Sequence, residues 1–303
     1  MSPQIAVTSV LSMDHITWPE TGEQVTVGSC GYYVAMALAH LGADVLYAGA
    51  HGDDFDPVLV EPLRAAGAVV ELCPLPGATA RLDLVYTATG EIAHVHYDEA
   101  GGTAFTADDL PATFWNAPTL WLGTAPHAFH QQVAERAAQQ NQRVFLSTQG
   151  EYRGGKADLT RLAPYLSGIF SNVGEVSSFG YGDFAAAVAH LRECNPRLTL
   201  LITHGAHGAW LLTDETAYHV PAAPCPNLVN TVGAGDTFAA AWLLQTLNGN
   251  PPAEALPWAG AAAALQMRGY GYTAQPSAEE VEAYLQPIKN KLAVVRHMRI
   301  NLA

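Results

Sequence analysis

The residues Gly233-Ala234-Gly235-Asp236 put three small side chains directly ahead of a carboxylate, and the chain then runs from Thr237 to Leu247 without a charged residue. An apolar run of that length reads as a buried helix, with the small residues at its N-terminus and Asp236 in its first turn. Backbone N–H groups left unpaired there, with the positive end of the helix dipole, attract anions. Two chemistries fit these residues taken alone. One is a helix cap after a glycine turn; the other is an anion hole with a catalytic base beside it.

Three more stretches hold residues of the right types. Asn172-Val173-Gly174-Glu175 follows the apolar run SGIFS. Glu175 fits a carboxylate holding Mg²⁺ through water, and equally the third residue of a helix that Asn172 caps. THGAHG, from Thr203 to Gly208, follows the run LTLLI. Its Gly205 and Gly208 either let backbone approach a ligand or make a tight turn into the next strand. GEYRGGKA, from Gly150, has the spacing of a phosphate loop, but Ala157 stands where a hydroxyl must hold Mg²⁺, so it reads as an ordinary glycine loop. His94 and His96 share a strand face, and His127 and His130 are three apart on a helix. Neither pair has a third ligand at useful spacing, which argues against structural metal. No G-x-S-x-G elbow marks a hydrolase nucleophile.

Elements must hold these residues together. QIAVTSVLS, from Gln4, is apolar and β-branched, a buried strand ending near Asp14. GYYVAMALAHLG has helical spacing and stops at Gly42. ADVLYAGA reads as a strand and DPVLVEPLRAAG as a short helix; ARLDLVYTATGEIAHVHYD reads as a hairpin turning at Thr89-Gly90. From Thr119 onward strands and helices alternate, through TLWLG, RVFLST, SGIFSN and LTLLITHG to the hairpin GAWLLTDETAYHV. Helices follow Gly233, Pro252 and Ser277. Such alternation predicts a central, mostly parallel sheet covered by helices. Without internal repeat or linker, residues 1–303 read as one domain.

Composition narrows the partners. The formal net charge is −14, from 28 acids and 14 bases with no basic cluster. Nucleic acid and anionic membranes would be repelled, so neither is expected as a partner. A phosphorylated ligand would have to be held by N–H groups or Mg²⁺. The four cysteines are widely spaced without a C-x-x-C pair, which reads as reduced thiols of a cytoplasmic protein. The N-terminal residues lack the basic and long apolar segments of a signal peptide, and no uncharged run reaches membrane-span length.

The order of the motifs says more than any one of them. An acid after the first strand, a glycine-bearing helix start, GDDFD at Gly52, NVGE, THGAHG and TVGAGDTF follow in turn. In this arrangement the chain resembles the ribokinase-like (PfkB) family of carbohydrate and nucleoside kinases over nearly its whole length. TVGAGDTF is similar to the most specific signature of that family, and AGAAAALQMRGYGYTAQPS to its adenine-side helix and closing loop. The resemblance implies a ribokinase-like α/β fold: a central, mostly parallel sheet flanked by helices, with a small β-stranded lid from short elements at about 15–27 and 80–97. It implies an ATP-dependent phosphotransferase acting on a hydroxyl of a small polyhydroxylated substrate, a sugar or cyclitol. Nucleosides are the alternative acceptors, and a non-catalytic ligand-binding member is a third reading.

By the same resemblance, Asp236 is the general base, and Gly233, Ala234 and Gly235 form the anion hole. Asn172 and Glu175 organise Mg²⁺, with Glu175 acting through water. Thr203, Gly205 and Gly208 line the nucleotide, and Gly260 lies on its adenine side. Asp14, Gly28, Ser29 and Tyr33 meet the substrate. ATP and Mg²⁺ are the implied cofactors, a monovalent cation such as K⁺ is a further candidate, and both monomer and homodimer are open. The chain departs from the family in three places. Gly28-Ser29 replaces paired glycines, with Tyr33 where Asn is usual; Gly260 stands where Asn or His is frequent; Asn230 stands where Asp is commoner.

Overall fold

The six residues of β1 (Ile5–Val10) are all buried, and their side chains alternate between two cores. Ile5 and Val7 join one core, Ala6 and Val10 the other, because successive strand side chains point to opposite faces. A sheet holding such a strand must be covered on both sides. The structure, a computed structural model, describes residues 3–19, 22–87, 92–98, 100–148, 152, 158–214, 216–225 and 227–297.

After β1 come β2 (Ser12–Trp18), β3 (Gly22–Gly28), α1 (Cys30–His40), β4 (Val45–His51), α2 (Glu61–Ala65), β5 (Val69–Pro74), β6 (Ala80–Tyr86) and β7 (Ile92–Asp98). Then follow β8 (Thr119–Leu122), α3 (His127–Gln139), β9 (Arg143–Ser147), β10 (Gly168–Asn172), α4 (Val173–Ser177), α5 (Phe184–Cys194), β11 (Thr199–Thr203), β12 (Ala209–Thr213) and β13 (Thr216–Val220). The last elements are α6 (Ala234–Leu247), α7 (Leu256–Gln266), α8 (Ala278–Ile288) and β14 (Val295–His297).

Among the described residues, ten strands form one sheet in the order β14-β13-β12-β11-β10-β9-β8-β1-β4-β5. Pairing from β5 through β11 is parallel, and the last three strands add antiparallel. Residues of α1, α6, α7 and α8 build the core on one face, residues of α3 and α5 the core on the other. The helix α6 is apolar on nearly every side because it is surrounded, packing on α1 and α7. The run of alanines in α7 gives α6 a close neighbour.

A second sheet, β3-β2-β6-β7, forms the lid. Its two hairpins come from distant parts of the chain and join through the parallel pair β2–β6. This corrects the placement of Asp14: it is not at the end of β1 but the third residue of β2, inside the lid sheet. Leu11 alone separates the two strands, so the run from Gln4 reads as continuous. Burial changes at that point from every residue to alternation. The strands β5 and β14 escaped the sequence reading, since both lie at sheet edges with exposed side chains such as Val69 and Val295. The Thr89-Gly90 turn lies outside the described residues, as does the Gly150 to Ala157 loop apart from Tyr152. No helix among the described residues is long and apolar enough to cross a membrane.

Candidate active site

In the sheet order β1 stands between β4 and β8, so the chain runs outward in one direction to β5 and later in the other to β11. A crevice opens at the carboxyl ends of strands at such a switch, and ligands bind there in open α/β sheets. The chain leaves β1 into the lid at this point, which brings Asp14 to the crevice. Asp14 is 4% exposed, and the Ser12 hydroxyl donates to its Oδ1 at 2.6 Å. On β3, Gly28 approaches so closely that a Cβ would lie 1.9 Å from Asp14 Oδ2. Burial pushes the Asp14 carboxyl up to about 7, against the pull of the Ser12 hydrogen bond and His15. Ser29 caps α1 with φ 123°, a costly backbone conformation for a residue with a side chain, and its buried hydroxyl has no partner among the described residues.

On α1, Tyr32 and Tyr33 go separate ways. Tyr32 is fully buried, edge-on to Tyr47 and Tyr272, and belongs to the core. The ring of Tyr33 lies against the start of α6. Burial, with the nearby carboxyls of Asp14 and Asp236, raises its phenol above the ordinary tyrosine range. Tyr33 therefore neighbours both acids.

At the start of α6, Gly233 is the N-cap with φ 83°, a left-handed conformation that suits glycine. A Cβ there would meet Tyr33 Cδ1 at 2.4 Å. Asn230 shapes the approach to the turn, its Oδ1 accepting from the Val232 N–H at 2.6 Å. The Ala234 N–H donates to Thr231 at 3.2 Å, so it is already engaged. Gly235 is exposed with open space where a side chain would stand.

Gly235 and Asp236 form one wall of a pocket of about 170 Å³, and Asn172, Glu175 and Thr203 line it as well. Burial first, and the charge of Glu175 second, push the Asp236 carboxyl up to about 8. Asn172 and Glu175 form the full capping box of α4, with the Glu175 N–H donating to Asn172 Oδ1 at 2.9 Å. The capping role and the place in the pocket belong to the same two residues. Hydroxyls of Thr148 and Ser171 each donate to Glu175 Oε2 at 3.1 Å. These two and Ser147 also line the pocket and were missed in the sequence. Their signal was available: polar residues at the carboxyl ends of β9 and β10, where a parallel sheet meets its ligand.

Other expected residues lie away from that pocket. Gly205 opens a 3₁₀ turn and Gly208 closes it, with the His204 N–H donating to the Gly208 carbonyl at 2.8 Å. Thr203 is thus the member of THGAHG that lines the pocket. Gly260 is buried in α7, and among the described residues outside the adjoining helix backbone only Ala223 lies within 4 Å of where its Cβ would be. Asp14, Gly28, Ser29 and Tyr33 lie near one another where β2, β3 and α1 meet, and none of them lines that pocket.

A family model described as pfkB family carbohydrate kinase matches residues 21–279. The chain belongs to that family. This PfkB kinase is a phosphotransferase of the sugar and nucleoside kinase group. It is 26% identical to a fructokinase of Rhizobium leguminosarum bv. trifolii over 74% of this chain and 72% of that protein. It is also 26% identical to an ATP-dependent ribose-1-phosphate kinase of Halopiger xanaduensis over 91% of this chain and 97% of the relative. Ribokinase of Arabidopsis thaliana, solved with ribose and ATP, shares the fold of this PfkB kinase with a TM-score of 0.81. That match has 22% identity and covers 94% of this chain and 99% of the other.

Proposed function

We propose that this kinase transfers the terminal phosphoryl group of ATP to a hydroxyl of a small, polyhydroxylated acceptor, a sugar or cyclitol. The observation that carries the reading is the meeting of Gly235 and Asp236 with Asn172, Glu175 and Thr203 in one pocket. Phosphoryl transfer rests on positioning and charge stabilisation, with little covalent work for the protein. The turn from Gly233 to Gly235 presents backbone N–H groups to the moving phosphoryl oxygens. With Ala234 engaged to Thr231, Gly235 and Asp236 supply those closest to the pocket. Asp236 takes the proton of the acceptor hydroxyl.

The carboxylate of Glu175, the Asn172 side chain and the hydroxyls around them form a hard oxygen donor set of the kind Mg²⁺ uses with intervening water. Bound there, Mg²⁺ would neutralise charge on the nucleotide phosphates. Thr203 and the Gly205–Gly208 turn extend the nucleotide path along the ends of the neighbouring strands. Asp14 grips acceptor hydroxyls from the lid, with Gly28 and Ser29 below it and Tyr33 as the floor between grip and base. None of the four cysteines is in a disulfide, which supports a reducing, cytoplasmic setting.

A second acceptor class, nucleosides, draws support from the lid. Trp18, four residues after Asp14 on β2, stacks on Tyr86 with ring centroids 3.8 Å apart. That pair offers an aromatic surface on Asp14's side of the strand. ADP release measured against sugars, cyclitols and nucleosides decides between them. Turnover of polyols supports the leading reading; exclusive turnover of nucleosides replaces it. ATP binding without turnover of any acceptor defeats the assignment of Asp236 as base.

A further inference from the structure

Gln266, the last residue of α7, is fully buried, and its side-chain nitrogen donates to two carbonyls from different loops. Val232 accepts at 2.8 Å and Gly271 at 2.8 Å. Val232 immediately precedes the Gly233 turn. Gly271 belongs to the loop that meets the lid: Tyr270 stands edge-on to Trp18, and the Tyr272 hydroxyl accepts from Thr26 at 3.3 Å. Farther along that loop, Gln275 accepts from the Thr237 hydroxyl of α6 at 3.0 Å. Gln266 is therefore a joint between the anion-binding turn and the loop on which the lid rests.

The orientation of the amide follows from its neighbours. Two carbonyl oxygens need donors, and only the nitrogen of a glutamine side chain provides two. Its oxygen is then left buried without a partner among the described residues, an uncommon cost in a folded core. Converging backbone carbonyls from separate loops are also how proteins hold a dehydrated monovalent cation. Here an –NH₂ group stands at the point of convergence.

We propose that Gln266 is a positioning residue for phosphoryl transfer. Its amide nitrogen takes the place a monovalent cation would occupy between Val232 and Gly271, so catalysis by this chain has no monovalent-cation requirement. The proposal rests on the kinase reading above.

The test begins with the wild-type enzyme in potassium, sodium and choline chloride at equal ionic strength. Its kcat should agree within about twofold across the three salts, and a potassium stimulation above about tenfold overturns the proposal. Gln266→Met keeps the volume and removes both hydrogen bonds. It should lose at least about tenfold in kcat with KM for ATP and acceptor within about threefold; unchanged kcat overturns the positioning role. Gln266→Glu turns the joint into three converging oxygens, which call for a cation. At pH 8 its Tm should rise in potassium over choline, while the wild-type Tm should not. A Gln266→Glu Tm indifferent to the cation overturns the proposal. The thermal measurement needs no acceptor. Absence of ADP release with every acceptor would therefore count against the kinase reading, leaving the melting data to judge Gln266.

Discussion

Asp236 lies close enough to Glu175 for the glutamate's charge to add to burial in holding the Asp236 carboxyl up to about 8. A carboxyl in that condition, the proposed base, is mostly protonated at neutral pH in the free enzyme. Asp14, raised to about 7 by burial, adds a second group with the same direction. The expected kcat/KM profile therefore rises with pH through the region from about 7 to 8, since a base acts only when deprotonated. Mg²⁺ bound with the nucleotide would favour the carboxylate, so the acid limb of kcat should lie at lower pH than that of kcat/KM. A kcat/KM profile flat from pH 6 to 9 would defeat the assignment.

Replacement of the proposed base separates chemistry from stability. Asp236→Asn keeps the shape of the side chain and removes its basicity. The expected loss in kcat is about 10²–10⁴, with ATP affinity changed only a few-fold. The stability effect runs the other way. A carboxyl whose folded pKa is raised stabilises the protonated native state at low pH, and that stability is lost as pH rises through the folded value. Melting temperatures of Asp236→Asn should thus gain on wild type between about pH 4 and 8, the window set by the ordinary and raised pKa values. A variant that keeps half of the wild-type kcat would make Asp236 a helix-terminal residue and no more.

Asp14→Ala tests the lid side of the crevice. The acceptor KM should rise at least about tenfold while the ATP KM stays within about threefold, because in the proposed role the lost hydrogen bonds are to acceptor hydroxyls. Equal effects on both substrates would show that Asp14 holds the lid together, not the acceptor.

Nucleotide choice should be loose. Gly260 offers no side chain to a purine, and among the described residues outside the adjoining helix backbone only Ala223 comes within reach of a Cβ there. ATP and GTP should differ by less than about tenfold in kcat/KM, since strong discrimination requires groups left unpaired by the wrong base. A preference for ATP above about a hundredfold would mean that other residues read the ring.

The pocket residues legible in the sequence are those that interrupt a pattern. Asp236 follows three small residues before an apolar helix, Asn172 and Thr203 end strands, and Glu175 comes three residues after the first of these. Punctuation of that kind is local. Ser147, Thr148 and Ser171 look like ordinary strand-end polar residues, and they matter only because parallel pairing brings three strand ends together. The lid elements at about 15–27 and 80–97 came from the family resemblance, and the boundary at Ser12 was not readable, because Leu11 carries the apolar run across it. Gln266 had no local signal. Its partners Val232 and Gly271 are joined to it only by the packing of α7 against the turn and the loop.

The parallel pairing of β2 with β6 has a consequence for how the protein is assembled. As the chain emerges, the β2–β3 hairpin exists long before the strand that completes it, and β4 and β5 must first turn the chain back. Contacts between residues far apart in sequence bear their loop-closure entropy before they return any stabilisation, so they form late. The surface proposed to hold the acceptor thus cannot mature until β6 has folded back onto β2, after the shorter-range pairing of β1 with β4. Pulsed hydrogen exchange during refolding should find β2 and β6 amides protected together, and later than those of β4, which pairs with β1 across a shorter stretch of chain. Protection of β2 before β6 would mean that the first hairpin stands alone.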